Sequence, residues 1–186
     1  INSFKAKGEI LSNSFAIPVG KMFTLANYRT AFDRLNIFSA YRNSMIISLT
    51  VAGVVILLAG MASFALVRYD FKLRKPLNSL VVAGMMFPVF STIIPVFRML
   101  SSWHMVNTES LALSLISVAL PQIAGNFSFA IVVLTGYIHS LPIELEESAY
   151  LEGCSPFQIF FKIVVPLAKP SFATVAIFVF LWSYND

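Results

Sequence analysis

A short acidic stretch, "ELEESAYLEG" from Glu144 to Gly153, contains the side chains whose chemistry and spacing stand out most in this chain. It holds four of the nine Asp and Glu residues, namely Glu144, Glu146, Glu147 and Glu152. Carboxylates in the first turn of a helix interact favourably with its dipole, and exposed carboxylates form ion pairs with cations. The stretch is therefore suited to ion pairing, and the alternative is a solvated linker that only aids membrane topology.

Side chains that support catalysis or metal binding form no recognisable constellation in the sequence. His104 and His139 lack the spacing of metal ligands, and Cys154 is the single cysteine. No G-x-x-x-x-G-K-[ST] loop is present, so ATP is not bound by that route. We therefore predict no catalytic residue, no metal site and no cofactor, and the same absence disfavours an intramembrane enzyme.

Two short helices are expected in and after the acidic stretch. Pro142 suits a helix start, and Gly153 is well placed to end that helix in a left-handed conformation. The run Ser155-Pro156-Phe157-Gln158 matches a capping box with proline at the first helical position. A second helix should follow it and continue until Pro166. The segment 140–169 is thus predicted to form a helix, a glycine turn and a second helix outside the membrane.

The rest of the chain is apolar enough to have lipid as its solvent. Charged residues make up 12% of the sequence and hydrophobic residues 58%, whereas roughly a quarter of a soluble domain is charged. Four long blocks carry no charge, residues 44–67, 76–97, 110–138 and 170–185. Backbone groups in hydrocarbon need internal partners, so these blocks should be helices that cross a bilayer core about 30 Å thick. The predicted fold class is all-α, a polytopic transmembrane bundle with about four spans.

Basic residues between the blocks predict how the chain crosses the membrane. The first and third connections contain most of them, Arg68, Lys72, Arg74, Lys75, Lys162 and Lys169. The positive-inside rule therefore puts both connections, and the acidic stretch, in the cytoplasm. Residues 1–43 are then an external lead-in segment. They carry six Lys and Arg residues, but long external segments cross a membrane largely regardless of charge.

Both ends of the sequence indicate that a longer protein extends beyond it. The chain begins at Ile1 rather than Met, and "FLWSYND" ends inside an apolar segment. We therefore expect residues 44–186 to be a transmembrane domain that is incomplete at its C-terminus.

The stretch "ELEESAYLEGCSPFQIFFKIVVPLAKP" resembles the cytoplasmic loop of bacterial ABC-importer permeases. The signature of that loop is E-A-A, three residues, G, nine residues and I-x-L-P. Here Glu147-Ser148-Ala149 takes the first place, Gly153 follows after three residues, and Ile163 to Pro166 follow after nine. Ser148 stands in place of alanine and Val165 in place of leucine. The spacing holds across twenty residues, which makes the resemblance specific.

Other segments are similar to the carbohydrate-uptake branch of that family, which includes importers of the maltose-transporter type. They are "FTLANYRTAF", "NSMIISL" and "FALVRYDFKLRKPL". The ending "FLWSYND" is similar to a family stretch that usually reads tryptophan-asparagine-aspartate or -glutamate, with Tyr184 at the aromatic position. Family members have about six spans, which implies one span before Ile1 and one after Asp186.

The resemblance implies a permease subunit in the bacterial cell membrane, surrounded by lipid and without enzymatic activity of its own. It would pair with a second permease subunit and with two ATPase subunits that bind ATP. An extracytoplasmic solute-binding protein would deliver sugar to it, and no nucleic acid is implied as a partner. The acidic helix would be the coupling helix that docks in a groove of the ATPase. The coupling residues would be Glu147, Ser148, Ala149, Tyr150, Leu151, Gly153 and Pro166.

The roles implied for these residues differ along the helix. Glu147 would pair with a basic group of the ATPase, whereas Glu144 and Glu146 would serve mainly as dipole partners near the helix start. The small side chains at 148–149 would allow close approach of the ATPase, and those at 150–151 would add apolar anchoring.

Gln122 and Asn126 are the best polar pair inside an apolar block, one helical turn apart after Pro121. They are candidates for the translocation path, and the alternative is that they bridge helices, as Asn and Gln often do in membranes. The first three blocks contain no ionisable carboxylate or cation, which disfavours the alternative of a secondary carrier. Glycerol-phosphate or a polyol is an alternative to sugar as the solute.

Cysteine labelling tests the predicted topology. In a Cys154→Ser background, a cysteine introduced at Lys72 should be labelled only from the cytoplasmic side, and one introduced at Thr108 only from outside. The measurement is reaction with a membrane-impermeant maleimide in intact cells and in inverted vesicles. The reverse pattern would put the acidic stretch outside, and the coupling role would fail with it.

Overall fold

The computed structural model describes residues 2–12, 14–34, 36–106 and 108–185. It divides the chain into two units, Ile1–Ser44 and Met45–Asp186. The regular secondary structure of the described ranges is helical. The β-type pairing in these ranges is one isolated bridge between Lys5 and Phe23. The all-α prediction is confirmed.

The first unit is organised around the ring of Phe4. This ring stacks on Phe23 with centroids 5.6 Å apart and meets Tyr28 at 5.3 Å. Nearby, the side-chain amide of Asn27 donates to the carbonyl of Lys5 at 2.7 Å. The lead-in segment therefore has tertiary contacts of its own, while its external position stays a prediction. Its helices are α1 (Lys7–Ser12) and α2 (Ala26–Arg34), with 3-10 turns at Asn2–Phe4 and Gly20–Met22.

The second unit is a series of helices. The long helix α3 spans Ile37–Arg68. A π-helical turn, Phe160–Val164, lies between α8 and α9. The other helices are α4 (Arg74–Met85), α5 (Val89–Ser102), α6 (Leu111–His139), α7 (Glu144–Leu151), α8 (Pro156–Ile159), α9 (Val165–Leu167) and α10 (Lys169–Asn185).

Two continuous helices of the described chain are long and apolar enough to cross a membrane. These are α3 and α6, with 32 and 29 residues, so the spans predicted over 44–67 and 110–138 are confirmed. A third candidate is a bent pair, Pro156–Leu167 with Lys169–Asn185, whose axes differ by 82°. The block 170–185 is therefore helical, but it reaches span length only together with the segment before the bend.

The block 76–97 is two helices rather than the single helix predicted. The helix α4 ends at Met85 and α5 begins at Val89, and they have 12 and 14 residues. Pro88 lies between them in an extended conformation, with φ −70° and ψ 113°. Proline lacks an N–H group and disfavours helical geometry in the residue before it, here Phe87. Each piece is shorter than the roughly 20 residues that a straight span needs.

The helix predicted to stop before Pro166 continues past it to Leu167. The π-helical turn explains this difference, because the N–H of Val165 donates to the carbonyl of Phe160, five residues back. Such a wide turn shifts the hydrogen-bond register immediately before Pro166, which has no N–H to donate. The helical path breaks only at Ala168, where the 82° bend occurs.

Small side chains on α3 allow neighbouring helices to pack closely against it. Ser48, Ala59 and Ser63 are fully buried and Ala52 nearly so. The hydroxyl of Ser63 donates to the carbonyl of Ile131 on α6 at 3.2 Å. Close contact and interhelical hydrogen bonds of this kind stabilise helix pairs in membranes.

Another helix approaches α3 closely at Gly60. A Cβ atom added there would lie 2.7 Å from Cε1 and 2.9 Å from Cζ of Phe172 on α10. Gly53, on the same helix, has no neighbouring atom within 4 Å of its added Cβ. The absence of a side chain at Gly60 therefore sets the distance between α3 and the ring of Phe172.

Alanine substitutions at the two glycines test this packing. Gly60→Ala should lower the stability of the detergent-solubilised protein by about 1–3 kcal/mol, because Phe172 must shift within a packed core. Gly53→Ala should raise it by about 0.5–1 kcal/mol, because alanine favours the helix and meets no obstruction. Thermal unfolding followed by circular dichroism measures both effects. Equal shifts would contradict the close packing at Gly60.

Candidate functional site

Arg68, the last residue of α3, connects three helices through one guanidinium group. Its Nε atom donates to Oε1 of Glu146 on α7 at 2.8 Å. Its Nη2 atom donates to the carbonyl oxygens of Ile138 and Leu141, at 3.1 and 3.0 Å, at and just after the end of α6. The ends of α3 and α6 and the start of α7 therefore meet at one side chain.

The polarity of the helix ends suits this arrangement of charges. The last carbonyl groups of a helix lack intrahelical donors and carry partial negative charge, which favours Arg68 beside the end of α6. Glu146 lies in the first turn of α7, where unpaired N–H groups favour an anion. Arginine can serve three acceptors at once because its donors form a rigid planar fork.

The ion pair between Arg68 and Glu146 is shielded from water on both sides. The exposed fraction of the side chain is 10% for Arg68 and 5% for Glu146. A buried ion pair gives little net stability, but removing one of its partners costs on the order of 3–5 kcal/mol. The pair therefore specifies where α7 lies more than it adds to the stability of the fold.

A second link between the end of α3 and α7 lies beside the ion pair. The hydroxyl oxygens of Tyr69 and Tyr150 are 2.5 Å apart. Burial, the hydrogen bond and charge of Tyr150 and the charge of Glu146 raise the pKa of Tyr69 to about 12. Tyr69 is therefore neutral at physiological pH and can donate this hydrogen bond.

The helix α7 has one face in the core and one face in solvent. Glu146 and Ala149 are buried, with 4% and 6% of their surface exposed. The opposite face carries Glu147 and Leu151, one turn apart, and the side chain of Leu151 is 91% exposed. Ser148 is exposed and its hydroxyl donates to the carbonyl of Glu144 at 2.8 Å. The surface available to a partner is therefore the face of Glu147 and Leu151.

Two expectations from the sequence need correction here. Glu146 is not mainly a dipole partner, because it is the buried partner of Arg68. Ala149 packs in the core of its own chain, so its small size serves internal packing and not close approach by another protein. No sequence signal links Arg68 to Glu146, since they are 78 residues apart.

Backbone hydrogen bonds within the turn pair the polar groups at the end of α7. Gly153 has φ +84°, which confirms the left-handed conformation predicted for it. The N–H of Cys154 donates to the carbonyl of Ala149, and that of Gly153 to Tyr150, both at 3.0 Å. This pattern is a Schellman motif. The predicted capping box of Ser155 and Gln158 follows it directly and is also confirmed.

The polar pair in α6 contacts α10. The hydroxyl of Ser183 donates to Oε1 of Gln122 at 2.5 Å, so Gln122 bridges two helices. Asn126 donates from Nδ2 to the backbone carbonyl of Gln122 at 2.8 Å, within its own helix. Within the described part of the chain, Nε2 of Gln122 and Oδ1 of Asn126 make no hydrogen bond, and no group of His, Cys, Asp and Glu suited to a metal ion is found.

Comparison with known families identifies the kind of protein that carries this arrangement. The sequence profile of the family described as "binding-protein-dependent transport system inner membrane component" matches residues 55–186. The chain belongs to this family. Its helices α3 and α6 are accordingly membrane-spanning helices of an inner-membrane transport component.

The chain is similar in sequence to curated permease proteins. The chain is 35% identical over 187 residues to the diacetylchitobiose uptake system permease protein of Streptomyces coelicolor, covering 100% of the chain and 59% of that protein. It is 32% identical over 185 residues to the melibiose/raffinose/stachyose import permease protein of Bacillus subtilis, covering 99% and 64%. The chain thus spans about three fifths of the length of these relatives.

A solved structure shares the fold of the chain. It belongs to a bacterial ABC transporter involved in the import of the acidic polysaccharide alginate, with a TM-score of 0.70 and 20% identity. The match covers 99% of this chain and 62% of the other. At this level of identity the likeness establishes the fold alone, which is that of a chain of this ABC transporter.

Substitution at the glycine turn tests the conformation of the α7–α8 connection. Gly153→Val should disturb assembly with partner subunits, because a β-branched residue resists positive φ. Open space surrounds an added Cβ at Gly153, so the backbone is the cause. Cys154→Ser, next in the chain, should have little effect. Copurification of partner subunits measures both, and equal tolerance at the two positions would contradict the need for a left-handed residue.

Proposed function

We propose that this chain is part of the permease subunit of an ATP-driven importer for a sugar delivered by a solute-binding protein. Membership in a family of binding-protein-dependent transport components supports the mechanism. Relatives named for diacetylchitobiose and for melibiose, raffinose and stachyose support a sugar as the solute. The chain would have no ATPase activity, because ATP would bind to separate subunits.

The observation that carries the proposal is the exposed face of α7. Leu151 is an almost completely exposed leucine, and Glu147 lies one turn before it. An apolar anchor beside a charged group is the composition expected where another protein docks. In the proposed importer this face enters a groove of the ATPase, where Glu147 meets a cation and Leu151 an apolar pocket.

The proposed importer contains two permease subunits and two ATPase subunits. Several apolar side chains of α5 are exposed, including Ile93, Ile94 and Phe97. Exposed apolar side chains of this kind are suited to contact with lipid or with the second permease subunit. We propose that the permease pair is a heterodimer and that the solute crosses between its subunits.

The free amide atoms of Gln122 and Asn126 are candidates for the solute path. An unsatisfied polar group in hydrocarbon costs several kcal/mol, so these atoms are expected to face a polar surface rather than lipid. Amide donors and acceptors one turn apart match the hydroxyl groups of a sugar. Gln122 would then both bridge α6 to α10 and contribute to the path.

Alanine substitution of Glu147 tests the docking of α7. Truncating one partner of a buried interface ion pair costs on the order of 2–5 kcal/mol. Glu147→Ala in the full-length protein should therefore weaken copurification of the ATPase or uncouple hydrolysis from transport, with membrane insertion and protein level unchanged. The matched control is Glu144→Ala, because Glu144 is an exposed carboxylate in the same helix. This variant should change transport little.

The measurements are solute uptake and the subunits that copurify in mild detergent from the native host. An ATPase and a second permease are the expected companions. Parent-level transport by Glu147→Ala would mean that Glu147 has no role in docking α7 on the ATPase. A chain that purifies as a lone oligomer would favour a secondary carrier.

A further inference from the structure

We infer that Arg68 is a positioning residue that makes the end of α3 move together with α7, so that a displacement of α7 by its partner reaches the membrane through this side chain. The inference rests on the proposed docking of α7. It goes beyond that proposal because it names the route by which motion leaves the docked helix.

The covalent chain gives α7 direct routes to only some of the membrane helices. It is joined to α6 by a four-residue connection, and towards α10 through α8 and α9. The end of α3 is 78 residues away from Glu146 in sequence. Any motion shared by α3 and α7 must therefore pass through noncovalent contacts.

Two noncovalent links join the end of α3 to α7, the ion pair of Arg68 with Glu146 and the hydrogen bond of Tyr69 with Tyr150. Together they form a rigid attachment. Arg68 and Tyr69 are consecutive residues, while their partners Glu146 and Tyr150 are one turn apart on α7. Two attachment points restrict rotation of α7 as well as its translation. Ala149 lies between Glu146 and Tyr150 in sequence. It is buried, so the attached face of α7 also packs in the core.

The guanidinium group also excludes a simple hinge between α6 and α7. Arg68 donates to Ile138 and to Leu141, one residue in α6 and one in the connection that follows it. Bending of this connection would break at least one hydrogen bond in a site from which water is largely excluded. A lysine would retain the positive charge, but its single nitrogen cannot reproduce the planar fork that serves three separate acceptors.

The docked surface and the attachment surface of α7 are distinct. Glu147 faces solvent and Glu146 faces Arg68, although they are adjacent in sequence. Loss of Glu146 should thus leave the docking face intact and release it from α3. The result would be an importer that assembles and hydrolyses ATP but transports little solute for each ATP.

The test uses the full importer purified from its native host and reconstituted with its binding protein in proteoliposomes. The variants are Arg68→Lys and Glu146→Ala, with Glu144→Ala as the exposed control. Uptake of radiolabelled diacetylchitobiose and of melibiose is measured together with ATP hydrolysis. Uptake per ATP should fall roughly fivefold or more in both variants, a coupling loss of ordinary size, while the ATPase content stays at the parent level. Parent-level uptake per ATP would overturn the inference.

A covalent replacement of the link separates positioning from simple structural damage. Tyr69→Cys and Tyr150→Cys are introduced with Glu146→Ala and Cys154→Ser, and a short bismaleimide joins the two new cysteines. The cross-link should restore most of the uptake per ATP. Loss of ATPase subunits from the Glu146→Ala complex, or no recovery after cross-linking, would show that the pair is merely structural.

Failure of the proposed function can be distinguished from failure of this inference. If the parent complex takes up neither sugar, the choice of solute is wrong and the attachment is judged by hydrogen exchange alone. Amide exchange in residues 144–151 of the complex should then accelerate in Glu146→Ala and slow again on cross-linking. Unchanged exchange would overturn the attachment.

Discussion

A guanidinium group removed from water must be surrounded by acceptors, and this requirement organises the part of the second unit where α3 ends. Arg68 meets it with one carboxylate and two backbone carbonyls drawn from α7 and from the end of α6. Each acceptor fixes the position of a different part of the chain. The end of α3 is therefore tied to the end of α6 and to the start of α7.

The same requirement explains why one helix can serve two purposes. The face of α7 that contains Glu146 and Ala149 is used for attachment, which leaves the face with Glu147 and Leu151 free for another protein. Helical periodicity makes this division possible, because adjacent glutamates point in directions about 100° apart. A buried carboxylate that holds the helix and an exposed carboxylate are thus neighbours in sequence.

Local features of this chain were predictable and distant contacts were not. Gly153 and the Ser155–Gln158 capping box follow from backbone rules that act within a few residues, and both are present. The long helices α3 and α6 follow from uninterrupted apolar runs. The break at Pro88 and the path through Pro166 depend on neighbouring turns, so composition alone gave the wrong helix limits. The pair of Arg68 and Glu146 depends on tertiary packing, for which a single sequence holds no signal.

The turn between α7 and α8 affects how much conformational entropy would be lost if a protein bound to α7. Its Schellman motif and capping box satisfy the helix ends with groups from the turn itself. The shape of the turn therefore needs no contribution from another protein, and little backbone entropy is lost when one binds. A preorganised surface spends less of its contact energy on ordering. The eight-residue helix α7 therefore presents its exposed face in a conformation that the chain itself has already fixed.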